Sequence, residues 1–171
     1  VHGNLNVVNA LRLSCDVYFY QAGLEIDMER INEFGRRFGL GEEVLGIDIP
    51  GERRGWLPDS ASFNKRNKRS GWRWARGLIL NLSIGQGQLV TPLQQAVLVG
   101  SLATNAGVYK PHLMKELRDR SGKVIKKFEP EIIRSGQMKE STHKVILAGL
   151  DSVVNHPGGT GKRGAVKGIR V

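Results

Sequence analysis

The strongest structural signal in the sequence is a helix whose start and end are both marked. The segment TPLQQAVLVGSLATNAG (91–107) offers Thr91 as the N-cap and Pro92 at the first helical position. Gln94 completes a capping box with Thr91. Gly107 is a natural left-handed cap after the last turn. We therefore predict a helix that fills most of this segment.

Shorter helices are predicted in the first quarter of the chain. Apolar residues at helical spacing indicate one helix that stops near Ser14 and a second that starts near Asp16. A third helix follows Asp27 as its N-cap, with Phe34 and Phe38 on one apolar face. Glycines then end this third helix.

The remaining segments add strands and loops. LILNLSIG (78–85) alternates weakly and is predicted to be extended, whereas the Gly- and Pro-rich segment 46–58 is predicted to be an ordered loop. Two strands should flank the turn at 119–123, and a last helix should start near Ser141 as its N-cap. Helices and strands are mixed without strand–helix–strand alternation, so the predicted fold class is α+β.

The composition indicates one globular domain, or a large piece of one, with a basic surface. The 171 residues are 40% hydrophobic and carry a net charge of +10, concentrated in the segments 65–76 and 161–170. Cys15 is the only cysteine, so an internal disulfide and a cysteine-based zinc site are excluded. The chain begins with Val1 and has no apolar run of about 18 residues. We expect it to be soluble as given and to be a fragment.

The basic charge favours an acidic partner without identifying it. The segment 65–76, with its two tryptophans, is typical of a solvated face, although it would also suit an anionic cell-wall polymer or lipid headgroups. The motif GGTGKRG resembles a phosphate loop, but Arg163 stands where that loop needs Ser or Thr. The four histidines (His2, His112, His143 and His156) lack ligand spacing, so they are predicted at the surface or in caps, and no metal is expected.

A second local feature is the stretch SCDVYFYQ, in which three small polar residues precede an aromatic run. In one interpretation Ser14 or Asp16 only caps a helix. In the other, these groups are held on a rigid aromatic base because they take part in chemistry. Cys15 is predicted to be a packing residue, since a free cysteine behaves as a small apolar group.

The aromatic run would then fix this corner. We predict that Val17, Phe19 and Tyr20 anchor the second helix in the core, whereas Tyr18 is left open. A misplacement of about 1 Å can reduce a reaction rate by about 10²-fold, so a rigid base would matter to a catalytic corner.

The sequence resembles the transpeptidase domain of class B penicillin-binding proteins. HGNLNVVNALRLSCDVYFYQAGLEI is similar to the region around that family's second motif, which is Ser-x-Asn in most members and Ser14-Cys15-Asp16 here. The third residue can be Asp in the elongation-type penicillin-binding protein 2, which the sequence resembles most. Further landmarks follow in the family's order at 38–58, 81–96 and 158–171.

The resemblance implies a penicillin-binding protein/serine β-lactamase-like fold, in which an antiparallel sheet is joined to a helical subdomain. Residues 1–171 would form the central part of one such domain. The family's nucleophile lies in a Ser-x-x-Lys motif upstream of Ser14, and its Lys-Thr/Ser-Gly motif would follow Val171. We therefore expect an internal fragment that is inactive alone. SFNK (62–65) and STHK (141–144) come after the second motif, so their serines are not assigned as the nucleophile.

The activity implied is serine acyl transfer that crosslinks peptidoglycan, with no cofactor. Ser14 would relay a proton to the departing amine, and Asp16 would accept hydrogen bonds from the family's lysine or from a substrate amide. Gly85, Gln86 and Gly87 would form a turn in which the glycines permit a tight bend, or they would contact substrate.

The implied partners are peptidoglycan stem peptides, β-lactam antibiotics, a membrane-embedded glycosyltransferase and the elongation machinery, and nucleic acid is not among them. The implied location is the periplasmic face of the bacterial inner membrane, with a transmembrane anchor outside this sequence. A serine β-lactamase or β-lactam sensor of the same fold is an alternative. A basic nucleic-acid-binding module is a weaker one, argued from charge alone.

Overall fold

The computed structural model describes residues 2–170, and its helices and short antiparallel strands confirm the α+β class. The elements are α1 (Val7–Arg12), α2 (Asp16–Ile26), α3 (Met28–Arg37), α4 (Ser60–Arg66), α5 (Leu78–Ser83), α6 (Pro92–Thr104), β1 (Val108–Tyr109), β2 (Glu116–Arg118), β3 (Val124–Lys127), β4 (Ile132–Arg134) and α7 (Glu140–Asn155). β1 pairs with β4, and β2 pairs with β3 across the predicted turn. No helix within residues 2–170 is long and apolar enough to cross a membrane.

The chain forms two compact units. The first contains residues up to Ile31, residues Pro58–Gly87 and residues from Met138 onward. The second contains Asn32–Leu57 and Gln88–Gln137. The boundary falls inside α3, so this helix begins in one unit and ends in the other.

In the first unit, the segment predicted to be extended at 78–85 is instead helix α5. Ile79 and Leu82 lie three residues apart, and both are buried beside Met28. This packing at helical spacing outweighs the weak alternation of the sequence. The end of this helix was not predicted either. It is a Schellman motif, in which Gly85 N donates to Leu82 O and Gln86 N donates to Asn81 O.

The basic segment of the same unit is only partly a solvated face. α4 forms as a short helix, and Trp74 packs edge-on against Phe63 with ring centroids 5.6 Å apart. Trp74 also contacts the small core around Ile79, and its backbone amide donates to Asn64 Oδ1 at 2.6 Å. Trp72, in contrast, is 66% exposed. One tryptophan therefore anchors the segment and the other lies in solvent.

The last helix, α7, begins at Glu140 with Lys139 as its N-cap, so the prediction of Ser141 as N-cap is wrong. Glu140 in the first turn stabilises this end through its charge. His143 was predicted at the surface or in a cap, and the surface position is wrong, because only 7% of this residue is exposed. His143 lies three residues before Ile146, and this spacing places it on the packed face of the helix.

Helix α3 follows Asp27, whose Oδ1 accepts from Arg30 N at 3.1 Å, as predicted for an N-cap. Phe38 is buried, but Phe34 is 52% exposed and lies under the Arg37 guanidinium, 4.9 Å from the ring centroid. The predicted apolar face is therefore wrong at Phe34, and Asn32 is buried on this helix instead.

The capping box of α6 is confirmed, and its glutamine has a second role. Gln94 N donates to Thr91 Oγ1 at 3.1 Å, and Thr91 N donates to Gln94 Oε1 at 3.2 Å. Gln94 is 0% exposed, and its Nε2 donates to the carbonyls of Gly41 (2.8 Å) and Glu43 (3.3 Å). The left-handed residue that ends α6 is Asn105 (φ 50°), two residues before the predicted Gly107.

Replacing Gln94 by leucine should lower the free energy of unfolding by about 2–3 kcal/mol, because it removes the buried amide that serves Thr91, Gly41 and Glu43. Gln95→Leu is the matched control, since Gln95 is the next residue on α6 and is exposed. This control should change stability by less than about 0.5 kcal/mol. Urea unfolding followed by circular dichroism measures both changes, and equal losses would contradict the role given to Gln94.

The segment 46–58 is an ordered loop, as predicted, because carboxylates bind its backbone. Glu52 accepts from the amides of Leu45 (2.6 Å), Gly46 (2.8 Å) and Ile47 (3.2 Å). Asp48 accepts from the amides of Leu113 and Met114, each at 2.9 Å. The hydrogen bonds from these amides lower the pKa of the Asp48 carboxyl below its usual value, and the bond from Leu113 has the largest effect.

Because its folded pKa is lowered, Asp48 should stabilise the protein above its unfolded pKa of about 3.9 and lose this effect as the pH falls through the folded pKa. We expect the urea midpoints of the natural protein and Asp48→Asn to differ most near neutral pH and to converge as the pH falls from about 5 to about 2. Glu129→Gln, which removes a carboxylate paired with Lys127 on the surface, is the control. A difference that stays constant with pH would contradict this assignment.

Candidate active site

The connection between α1 and α2 forms a tight corner at Ser14. Ser14 N donates to Leu11 O at 3.0 Å, and Cys15 N donates to Ala10 O at 2.9 Å. These bonds hold Ser14 in the left-handed region (φ 48°), which is unusual for a residue other than glycine. Cys15 is buried, as predicted, and the residues on either side of it are exposed. The corner therefore presents the Ser14 hydroxyl and the Asp16 carboxylate outward together.

The close packing of α1 on α7 positions this corner. Ala10 is fully buried, and Leu11 lies against Gly149 of α7. A β-carbon on Gly149 would overlap the Leu11 side chain, so the approach of the two helices depends on glycine at this position. The end of α1, and with it Ser14, is thereby fixed on the longer helix.

An open cavity of ≈ 930 Å³ lies at the corner, and both Ser14 and Asp16 line it. Val17 and Tyr18 also line it, together with Gln21, Cys15 and residues 2–5. Val17 was predicted to anchor α2 in the core, but it is 62% exposed and belongs to this cavity wall. It is the first-turn residue beside Asp16, and α2 turns this side outward. Phe19 and Tyr20 are half-buried, as an anchoring role requires.

Thr160, which no sequence pattern predicted to be functional, lies beside Ser14. Its Oγ1 lies 2.7 Å from Ser14 Oγ and donates to Arg12 O at 3.2 Å. Thr160 N donates to the same carbonyl, also at 3.2 Å. Thr160 belongs to the motif GGTGKRG, whose pattern indicated only an incomplete phosphate loop and a family landmark. The hydroxyl residue between the glycines of this motif was the one sequence feature that could have indicated a role at the site.

The segment that carries Thr160 is bound to α7 and α1. Gly161 N donates to Val153 O at 2.9 Å, and the Arg12 Nη1 atom lies 3.0 Å from both ring nitrogens of His156. Arg170 forms a two-point pair with Asp151 of α7, with N–O distances of 2.6 and 2.9 Å. The side-chain hydrogen bond from Arg170 lowers the pKa of Asp151.

The three residues predicted to contact substrate do not share this cavity. Gly85 (φ 82°) and Gly87 (φ 107°) have the left-handed backbone that a glycine turn predicts. Gln86 and Gly87 line a separate cavity of ≈ 140 Å³, together with Pro58, Phe63, Leu78, Asn81 and Leu82. The structure brings Ser14 and Asp16 together without these residues, so substrate contact at 85–87 stays a prediction.

Residues of the two Ser-x-x-Lys sequences make local contacts within or beside their own helices. Ser62 forms a capping box with Asp59, in which Ser62 N donates to Asp59 Oδ1 at 2.7 Å and Asp59 N donates to Ser62 Oγ at 3.1 Å. Lys144 lies 3.5 Å from Glu140, one turn away on the surface of α7. Neither sequence lines the cavity at Ser14.

The family model described as "Penicillin binding protein transpeptidase domain" matches residues 1–171. The chain therefore belongs to the penicillin-binding protein transpeptidase family, and the predicted resemblance is confirmed.

Curated relatives agree with this assignment. The peptidoglycan D,D-transpeptidase MrdA of Escherichia coli strain K12 is 31% identical over 160 residues, which cover 93% of this chain and 24% of the relative. Stage V sporulation protein D of Bacillus subtilis strain 168 is 29% identical over 170 residues, which cover 99% of this chain and 24% of the relative. The chain thus spans about a quarter of the length of these relatives.

Solved structures confirm the predicted fold. In the complex between penicillin-binding protein PBP2 and MreC from Helicobacter pylori, the similar chain is 32% identical with a TM-score of 0.75, covering 99% of this chain and 29% of that one. Penicillin-binding protein 2B of Streptococcus pneumoniae strain 5204 is 23% identical with a TM-score of 0.76. The match covers 94% of this chain and 29% of that one. This second likeness supports the fold alone.

The left-handed backbone of Ser14 predicts an unusual order of stabilities. Ser14→Gly and Ser14→Ala both remove the hydroxyl, but alanine keeps the steric strain of positive φ, so the glycine variant should be more stable by about 1 kcal/mol. At the neighbouring Leu13, where φ is −92°, alanine should be the more stable of the two. Thermal unfolding measures both pairs, and the same order at both positions would contradict the corner geometry.

Proposed function

We propose that the protein to which this chain belongs is a peptidoglycan D,D-transpeptidase that crosslinks cell-wall stem peptides by serine acyl transfer and is a target of β-lactams. The observation that carries this proposal is the shared cavity of Ser14 and Asp16, at the position of the family's second motif. In this proposal, residues 1–171 form the central part of one transpeptidase domain.

The proposed reaction has two acyl-transfer steps. The family's nucleophilic serine, outside this sequence, attacks the carbonyl of the D-Ala–D-Ala bond and forms an ester, and the terminal D-Ala leaves as its amine. An amine of a neighbouring stem peptide then attacks the ester, so a new amide forms and the serine hydroxyl is regenerated. A β-lactam mimics the dipeptide and stops the reaction at the acyl-enzyme.

Ser14 is proposed to be the proton relay of the first step. The departing nitrogen needs a proton when the C–N bond breaks, and a hydroxyl can donate one while it accepts another on its oxygen. In this scheme the oxygen of Ser14 takes its proton from the family's lysine, which holds the proton of the attacking serine. General acid catalysis of this kind typically raises a reaction rate by roughly 10²–10⁴-fold.

Asp16 is proposed to accept hydrogen bonds from that lysine or from a substrate amide. Asp16 lies in the first turn of α2, where the helix dipole stabilises a negative charge. An ionised carboxylate only accepts hydrogen bonds, whereas the amide of the family's usual Asn also donates. A carboxylate here therefore favours a charged partner over a carbonyl oxygen.

The proposed surroundings are those that the family resemblance implies. We place the enzyme at the periplasmic face of the bacterial inner membrane, with stem peptides and β-lactams as ligands. The net charge of +10 suits the anionic environment of a cell wall. A membrane-embedded glycosyltransferase and the elongation machinery are the proposed protein partners, and the complex of PBP2 with MreC from Helicobacter pylori supports the second of these.

The test uses the full-length protein and a fluorescent penicillin. We expect a covalent adduct that persists for many minutes and maps to a serine upstream of Ser14. Ser14→Ala should reduce the acylation rate constant by about 10²-fold or more, because it removes the proton relay. It should leave the initial non-covalent affinity nearly unchanged. The measurement is the time course of labelling at several penicillin concentrations.

Ser141→Ala is the matched control, because Ser141 is exposed on α7 and lies outside the cavity. This control should label at the natural rate. Mapping of the adduct to Ser62 or Ser141 would contradict the proposed site. Release of the adduct within seconds would favour the β-lactamase alternative instead.

A further inference from the structure

We infer that Thr160 is a positioning residue for the Ser14 hydroxyl, a role that rests on the proposed function. Thr160 lies 146 positions from Ser14 in the sequence, yet their side-chain oxygens are 2.7 Å apart. This is the usual length of a well-formed hydrogen bond between two hydroxyl groups. Its role follows from counting the protons that the two side chains can donate.

Each hydroxyl has one proton to donate. The proton of Thr160 is donated to Arg12 O, at a distance of 3.2 Å. Either hydroxyl could donate the bond between the two side chains, but only donation by Ser14 keeps the Thr160 proton for Arg12 O, so this direction is the one that satisfies both contacts. The result is a directed chain in which Ser14 donates to Thr160 and Thr160 donates to a carbonyl of α1.

This direction suits a proton relay at Ser14. Because Ser14 is the donor, its oxygen keeps lone pairs that can accept a proton or a hydrogen bond from a group in the cavity. Rotation about the Cβ–Oγ bond can then redirect the serine proton to a departing nitrogen while the oxygen stays in place. Thr160 itself transfers no proton in this scheme, because its hydroxyl proton stays hydrogen-bonded to the Arg12 carbonyl.

The backbone around Thr160 is firmly held, as a positioning role requires. Thr160 N and Oγ1 both donate to Arg12 O, so the residue is bound at two points to the end of α1. Gly159 N donates to His156 O at 2.9 Å, and Gly161 N donates to Val153 O at 2.9 Å. A β-carbon on Gly161 would lie 2.7 Å from Val153 Cγ1, so this turn packs closely on α7.

The experiment compares Thr160→Val and Thr160→Ser in the full-length protein. Valine keeps the shape of threonine and loses the hydroxyl, whereas serine keeps the hydroxyl. We expect Thr160→Val to lower the rate constant of acylation by penicillin roughly five- to tenfold, the effect of losing one hydrogen bond. The non-covalent dissociation constant should not change, and Thr160→Ser should stay within about twofold of the natural rate.

A double variant shows whether Thr160 acts through Ser14. If it does, Thr160→Val should cause no further loss in the Ser14→Ala background, because the positioned hydroxyl is already absent. Thr142→Val is the control, since Thr142 is exposed in the first turn of α7 and should have no effect in either background. Equal losses from Thr160→Val in both backgrounds would overturn the inference, as would an unchanged rate or a Thr160→Ser variant as slow as the valine variant.

Thr160→Ala provides a second variant if valine is not accommodated in the turn. Loss of the folded state in both variants would overturn the inference, because the hydroxyl would then be required for folding rather than for placing Ser14. Failure of the proposed function has a different signature, in which the natural protein forms no penicillin adduct. If adduct formation depends on Ser14 but not on Thr160, only the inference about Thr160 is contradicted.

Discussion

The packing of α1 against α7 is the contact on which the candidate site depends. α1 has only six residues, and an isolated helix of this length has no stability of its own in water. Its position comes from the burial of Ala10 and from the approach of Leu11 to Gly149. The strained corner at Ser14 is carried on the end of this helix, so tertiary contacts supply the free energy that the left-handed backbone requires.

Carboxylates and amides have a comparable role in the second unit, where irregular chain must be held without regular secondary structure. Glu52 binds three successive backbone amides of its own loop, and Gln94 joins the start of α6 to the carbonyls of Gly41 and Glu43. A backbone without a helix or sheet partner needs such acceptors and donors from side chains. Order in the segment 46–58 therefore arises from a few hydrogen bonds between side chains and backbone rather than from a large apolar core.

Local rules were sufficient for some elements and failed for others. The capping box of α6, the break at Ser14 and the hairpin turn at 119–123 each depend on residues a few positions apart, and the sequence predicts them correctly. The helix at 78–83, the burial of His143 and the exposure of Val17 are decided by packing against distant segments, which periodicity does not report. The motif at Ser14 and Asp16 was recognisable for the same local reason, whereas Thr160 reaches the site only through the fold.

The hydrogen bond between Ser14 and Thr160 spans 146 positions, and this separation constrains how the unit is made. During synthesis α1 leaves the ribosome long before α7 exists, so the contact between these two helices cannot form until α7 has been made. Contacts between such distant segments form late and slow the folding of a domain. The side of α1 that packs on α7 lacks this partner in the meantime, when a nascent chain is most open to aggregation. The pocket at Ser14 is therefore one of the last parts of this unit to assemble.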